Sequence, residues 1–82
     1  MNKHKQIGEV ARELGMNPKT IRYYEEIGLI PAAQRTETGY RVYDQADIER
    51  LAFILRARAL DFSLNDIGEI LALRENGEAP CL

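Results

Sequence analysis

The sequence predicts a mainly α domain of four helices with one short two-stranded β-hairpin, and three observations carry that expectation. Apolar residues recur at helical spacing in separate stretches, each with a cap at one end or both. Between the second and third of these, residues 34–43 set β-branched and aromatic residues on either side of a Thr-Glu-Thr-Gly turn. Finally, 82 residues that are 45% apolar and 29% charged suit one folded domain with a thin core, burying roughly 60–65% of the surface of the unfolded chain.

Ile7, Val10, Ala11 and Leu14 stand at i, i+3, i+4 and i+7, a short amphipathic helix closed by Gly15. The second helix starts sharply. Asn17 can accept from the first free backbone N–H groups, and Pro18 gives up a donor that the first helical position has no use for. Gly28 suits an αL closure, and Pro31 prevents resumption. At about 100° per residue, Ile21 and Tyr24 fall on one side with Gly28, while Lys19, Arg22, Tyr23 and Glu26 fall on the other. Small Ala11, turn Gly15 and apolar Val10, Leu14, Met16, Ile21 and Tyr24 occupy the places a helix-turn-helix needs. The bland alternative is two amphipathic helices joined by a turn.

Gln34 to Tyr43 forms the hairpin, with Gly39 where a three-residue loop needs positive φ. Two strands are marginal alone, so the hairpin must rest on the helices, from which it projects as a wing. Period-2 alternation sets Arg41 and Tyr43 on one face and Tyr40 and Val42 on the other, so at least one of the two tyrosines packs inward. Asp44, with Asp47 three residues on, caps a third helix through Ile48, Leu51, Ala52, Leu55 and Ala59 that ends near Asp61. Ser63-Leu64-Asn65-Asp66 is a capping box for a fourth, through Ile67, Ile70, Leu71 and Leu73 to about Glu75, with Gly77 beyond its end. The whole is a winged helix-turn-helix. Phe53 and Leu60 lie off the third helix's stripe and the fourth is apolar over more than half its circumference, so either that stripe is wider than the spacing shows or something outside this chain covers the surplus.

No apolar run approaches the roughly 18 residues that span a bilayer, and Met1 to Lys5 leads into no apolar signal core, so a cytoplasmic chain without membrane contact is expected. The single cysteine, Cys81, has no internal disulfide partner. Net charge is −2, yet residues 1–60 hold ten Lys/Arg against eight Asp/Glu and residues 61–82 one against five. The acidic end is thus separate from the second helix and hairpin, where the exposed cations gather.

An enzyme is not expected: the chain offers no nucleophile–base pair and no phosphate loop, and His4 sits in an N-terminus expected to fray. Glu25 and Glu26 diverge by about 100° on what reads as a solvated helix end. DNA chemistry fits better. Arg22 is the candidate for a guanine edge, since a bidentate guanidinium matches its acceptors, against the alternative of a surface arginine paired with Glu26. Lys19, Tyr23, Arg35, Arg41 and Arg58 are phosphate candidates that set register rather than sequence. Cys81 alone is not a metal site, because such sites take several ligands.

The stretches Ile7–Ala11, Ile21–Pro31, Arg35–Tyr43 and Leu60–Leu64, in this order and spacing, resemble the DNA-binding domain of MerR-family bacterial transcription regulators over about residues 6–78. The Arg-Tyr-Tyr-Glu-Glu-Ile-Gly-Leu stretch followed by Gly-Tyr-Arg is the specific part of the likeness. The resemblance implies DNA contact by Lys19, Arg22, Tyr24, Arg35, Tyr40, Arg41 and Arg58; face analysis of the second helix prefers Tyr23 to Tyr24, and both stay candidates. It implies sequence-specific binding to double-stranded promoter DNA as a homodimer, action on RNA polymerase at the promoter, and response to an effector such as a heavy-metal ion. It divides the chain into a domain over residues 1–78 and, at 79–82, the start of a linker to a dimerisation helix not contained in this sequence. It makes Cys81 a metal ligand of the full-length dimer only, with no cofactor in this chain itself, and leaves the chain on its own monomeric or weakly self-associating. The competing function is a helical protein-interaction module using the apolar face of the fourth helix.

Overall fold

The computed structural model describes residues 4–75. In chain order they form β1 (Lys5–Gln6), α1 (Ile7–Leu14), α2 (Pro18–Glu26), β2 (Gln34–Arg35), β3 (Arg41–Tyr43), α3 (Gln45–Ala59) and α4 (Leu64–Glu75). The mainly helical winged helix-turn-helix is present, with one addition. β1 pairs antiparallel with β3, Lys5 opposite Tyr43 and Gln6 opposite Val42, so the expected two-stranded hairpin is a three-stranded sheet of order β1-β3-β2. On the other edge of β3, Gln34 faces Val42 and Arg35 faces Arg41. Pairing on both edges satisfies the β3 backbone, and a strand of two residues is too short to announce itself by alternation. His4, expected to fray, instead has Nε2 3.1 Å from Gln34 Oε1.

The helix ends follow the caps. Asn17 Oδ1 accepts the Lys19 N–H at 2.8 Å ahead of Pro18. Asp44 and Asp47 form a complete capping box at α3, each side chain accepting the other's backbone N–H. Burial raises the Asp47 carboxyl above its ordinary range, whereas the backbone N–H of Asp47 lowers Asp44. Ser63 Oγ accepts from the Asp66 N–H at 3.0 Å at the start of α4. Gly15 and Gly28 take φ of 68° and 84° just past α1 and α2, and Asp61 takes the same left-handed conformation, φ 69°, past α3. In each case the next N–H reaches back: Met16 to Ala11 O, Leu29 to Tyr24 O and Phe62 to Ala57 O. Gly77 lies outside the described residues.

Val10, Ile21, Ile30, Tyr43, Leu51, Ile54 and Ile67 are fully buried, drawing one core from every helix, β3 and the turn after α2. Leu14 and Met16 pack at its edge. The buried face of α3 is not the expected one. Ile48 and Leu51 face inward, but Ile54 and Ala57 continue the stripe, Ala52 and Leu55 are half-buried, and Ala59 is exposed. This helix is apolar at most positions from Leu51 to Leu60, so periodicity alone could not choose its face. Phe53 packs against the core and carries the Arg74 guanidinium 5.1 Å above its ring. Leu60 and Leu73 are left exposed, while α4 directs Ile67 and Leu71 inward. Among the described residues no helix is long and apolar enough to cross a membrane.

Candidate nucleic-acid interface

The caps at Gly15 and Asn17 fix the angle between α1 and α2, and the core then decides which side of α2 is free. Ile21 is wholly buried and Tyr24 is 8% exposed, whereas Lys19, Arg22 and Glu26 are exposed and Tyr23 is 48% exposed. The two tyrosine rings, 6.0 Å apart between centroids, therefore have different tasks. Tyr24 is a core residue, and Tyr23 stands on the open face. Among the described residues Arg22 makes no ion pair, so the alternative pairing with Glu26 is not formed.

The wing loop is held by its own backbone. Thr36 N–H donates to Tyr40 O and Gly39 N–H to Thr36 O, both at 2.9 Å, with Gly39 at φ 91°. Arg35 Nη1 donates to Gly39 O at 2.9 Å, which steers that guanidinium along the loop. Tyr43 points inward and is fully buried, while Tyr40 is 59% exposed, resolving the pair that alternation left open. Arg22, Arg35, Tyr40 and Arg41, with Gln6 and Ile7, line one open cleft of about 220 Å3 between α2 and the wing. Three guanidinium-bearing residues converging on one cleft give this side a local positive potential that the net charge of −2 conceals.

Other predicted residues lie elsewhere. Lys19 and Tyr23 share the open face of α2 without lining the cleft. Arg58 is near the end of α3, exposed, and donates Nη1 to Phe62 O at 2.9 Å, tying down the α3–α4 turn. Cys81 lies outside the described residues, among which no group of three or more His, Cys, Asp or Glu side chains could hold a metal ion.

Glu25 needs correction. Its side chain is only 13% exposed, not solvated, and it gathers three partners. Oε1 accepts the Tyr43 hydroxyl at 3.0 Å, Oε2 accepts the Ala33 N–H at 3.0 Å, and Arg41 Nε stands 3.7 Å from Oε2. Burial first, then the bond to Glu25 and its charge, push the Tyr43 hydroxyl up to about 12. A signal was available, since Glu25 follows buried Ile21 by four residues and so lies on the inward side of α2.

A projecting helix-turn-helix, an exposed polar face on its second helix and a cationic wing beside it define a winged helix-turn-helix domain of the nucleic-acid-binding kind. Residues 6–73 match the family model described as MerR HTH family regulatory protein, and the chain belongs to that family. A mercuric resistance operon regulatory protein of Bacillus cereus is 51% identical over 75 residues, which are 92% of this chain and 57% of that protein. Among solved structures, the transcription regulator PbrR691 from Ralstonia metallidurans CH34 in complex with lead(II) superposes with a TM-score of 0.81 at 39% identity, covering 93% of this chain and 59% of that one. HiNmlR, a MerR-family regulator lacking the sensor domain and bound to promoter DNA, superposes at 0.83 with 26% identity over 90% of this chain and 56% of that one. The chain spans about half the length of the curated relatives it matches.

Proposed function

We propose that this chain is the DNA-reading domain of a MerR-type transcription regulator, with α2 in the major groove of double-stranded promoter DNA and the wing against the flanking backbone. The carrying observation is the convergence of Arg22, Arg35, Tyr40 and Arg41 on one cleft beside the exposed face of α2. Arg22, unpaired by any carboxylate among the described residues, is the base reader; Lys19, Tyr23, Arg35, Arg41 and Arg58 contact phosphates. Tyr40 projects from the wing toward the sugar–phosphate edge. Tyr24 touches DNA only through the small edge it leaves open, and its main service is to seat α2.

The DNA-reading unit is residues 1–78, and 79–82 begin the connection to a dimerisation helix. The whole regulator is a cytoplasmic homodimer that acts on RNA polymerase at the promoter and performs no catalysis. Its effector is a heavy-metal ion, a reading supported by the names of the mercuric-resistance and lead-bound relatives, and Cys81 supplies one thiolate of that site in the full dimer. The interaction-module alternative loses ground because Ile67 and Leu71 face the core of this same chain.

Titrating a random-sequence 20-base-pair duplex at increasing salt tests the DNA reading. With four or so phosphates neutralised, log K should fall by about 3 to 4 per decade of salt, and an affinity that ignores salt rules the reading out. Zinc, cadmium, lead or mercury added to the 82-residue chain should find no tight multi-ligand site, and a tetrahedral site within one copy contradicts the role given to Cys81.

A further inference from the structure

We propose that Glu25 is the positioning residue of the interface: its carboxylate holds the wing at the angle to α2 at which Arg22 and the wing arginines engage one DNA duplex together. The proposal rests on the DNA reading above and adds to it the part that sets its geometry. Among the described residues, the side-chain hydrogen bonds and the ion pair between α2 and the hairpin segment run through this one group. Oε1 takes the Tyr43 hydroxyl at the end of β3, Oε2 takes the Ala33 N–H just before β2, and the same oxygen faces Arg41 at the start of β3. Both strands of the hairpin are therefore referred to the last turn of the helix that carries Arg22.

The environment gives these ties force. The Glu25 side chain is 13% exposed and Tyr43 is fully buried, so their bond is a charge-assisted one in a part-buried setting, less screened than a surface contact. The Arg41 contact is of another kind. At 3.7 Å, with Arg41 36% exposed, it is loose and wet, so the guanidinium stays on the cleft side without being committed to Glu25. One carboxylate thus does two things: it anchors the wing by two short bonds and steers a wing cation by a weaker one. The anchor matters because the sheet is short, two residues in β2 and three in β3, and cannot by itself fix the direction in which Arg35, Tyr40 and Arg41 project.

The salt slope separates positioning from mere support of the fold. It counts phosphates neutralised per bound molecule and is independent of the folded fraction over the salt range in which circular dichroism shows that fraction constant, whereas apparent affinity falls with it. The probe is a random-sequence 20-base-pair duplex labelled for fluorescence anisotropy, with the 82-residue chain. In Glu25→Ala the freed wing should no longer engage together with α2, and the slope should shrink by about one phosphate, or about 0.9. Glu25→Gln keeps an acceptor for Tyr43 and should stay within about half of that loss. An unchanged slope in Glu25→Ala, or equal losses in the two variants, overturns the proposal. A wild-type slope near zero instead overturns the DNA reading beneath it. If Glu25→Ala does not fold, Tyr43→Phe carries the test, since it removes one anchoring bond and keeps the buried ring. Residual dipolar couplings of the Arg41, Val42 and Tyr43 amides, measured against those of α2, should then shift, and couplings identical to wild type overturn the proposal.

Discussion

Glu25 accepts the Tyr43 hydroxyl at 3.0 Å, joining the last turn of α2 to the last residue of β3 at the edge of the core. This bond has a pH signature. Tyr43 titrates near 12 in the folded chain against an ordinary 10.0, so the folded state holds the phenolic proton more tightly than the unfolded state. A raised folded value means the contribution is whole below pH 10 and is lost as pH climbs toward 12. Chemical denaturation of wild type and Tyr43→Phe at several values from about pH 8 to 11.5 checks it. The wild-type advantage, about 1 kcal/mol near neutrality, should shrink above pH 10. An advantage that stays constant across the range contradicts the assignment.

Arg22 and Arg41 should fail differently when removed. Arg22 stands on the open face of α2 without a carboxylate partner among the described residues, while Arg41 sits at the base of the wing beside Glu25. Arg22→Ala should weaken binding to a preferred operator by about 1–3 kcal/mol and relax discrimination at one base pair. Arg41→Ala should weaken all sequences alike. Competition binding against a library of single-base operator variants measures both, and equal losses on operator and random duplex for Arg22→Ala would remove it from the base-reading role.

What the sequence made legible was punctuation more than packing. Asn17-Pro18, Gly28, Asp44 with Asp47, and Ser63 with Asp66 act locally, within a few residues, so they located the helices before any tertiary contact was known. The apolar residues of α2 are equally plain, because Ile21 and Tyr24 fall together at helical spacing. Non-local features were hidden. β1 exists only because β3 has an edge to offer, and Lys5 and Gln6 carry no strand pattern of their own. The face of α3 was lost among too many apolar positions. Glu25 was misjudged by its charge: a carboxylate at a helix end is usually solvated, and only the arrival of Tyr43 and Ala33 from later in the chain makes its burial favourable.

Two of the left-handed closures offer a direct stability test of the backbone cost. At Gly15 an added Cβ meets nothing within 4 Å, so Gly15→Ala isolates the backbone cost of φ 68° and should destabilise by about 1 kcal/mol. Asp61 adopts φ 69° without being glycine, and Asp61→Gly should relieve part of that strain, raising stability by about 0.5 kcal/mol. Thermal unfolding gives both values. If Asp61→Gly lowers stability, the acidic side chain contributes more than the backbone strain it causes.

The proposed homodimer sets an expectation for the affinity of the chain by itself. A second half-site held in reach acts at high effective concentration, so a chain without the link loses far more than half of the free energy its contacts suggest. The phosphate contacts proposed for Lys19, Arg35, Arg41 and Arg58 should keep binding measurable at low salt and near the non-specific range, Kd about 10⁻⁴ to 10⁻⁶ M, around physiological salt. Exposed Leu60 and Leu73 allow loose association of copies but fix no two-fold geometry, since scattered apolar side chains lack a complementary partner surface. An unrelated antiparallel coiled coil of suitable length, fused after Glu78, should therefore restore operator affinity once the half-site spacing is met. The gain should vanish when half a helical turn is inserted between half-sites, because the second domain then faces the wrong side of the duplex. Nanomolar binding of the unfused chain to an intact operator at physiological salt would show that one copy already holds the affinity expected of the pair.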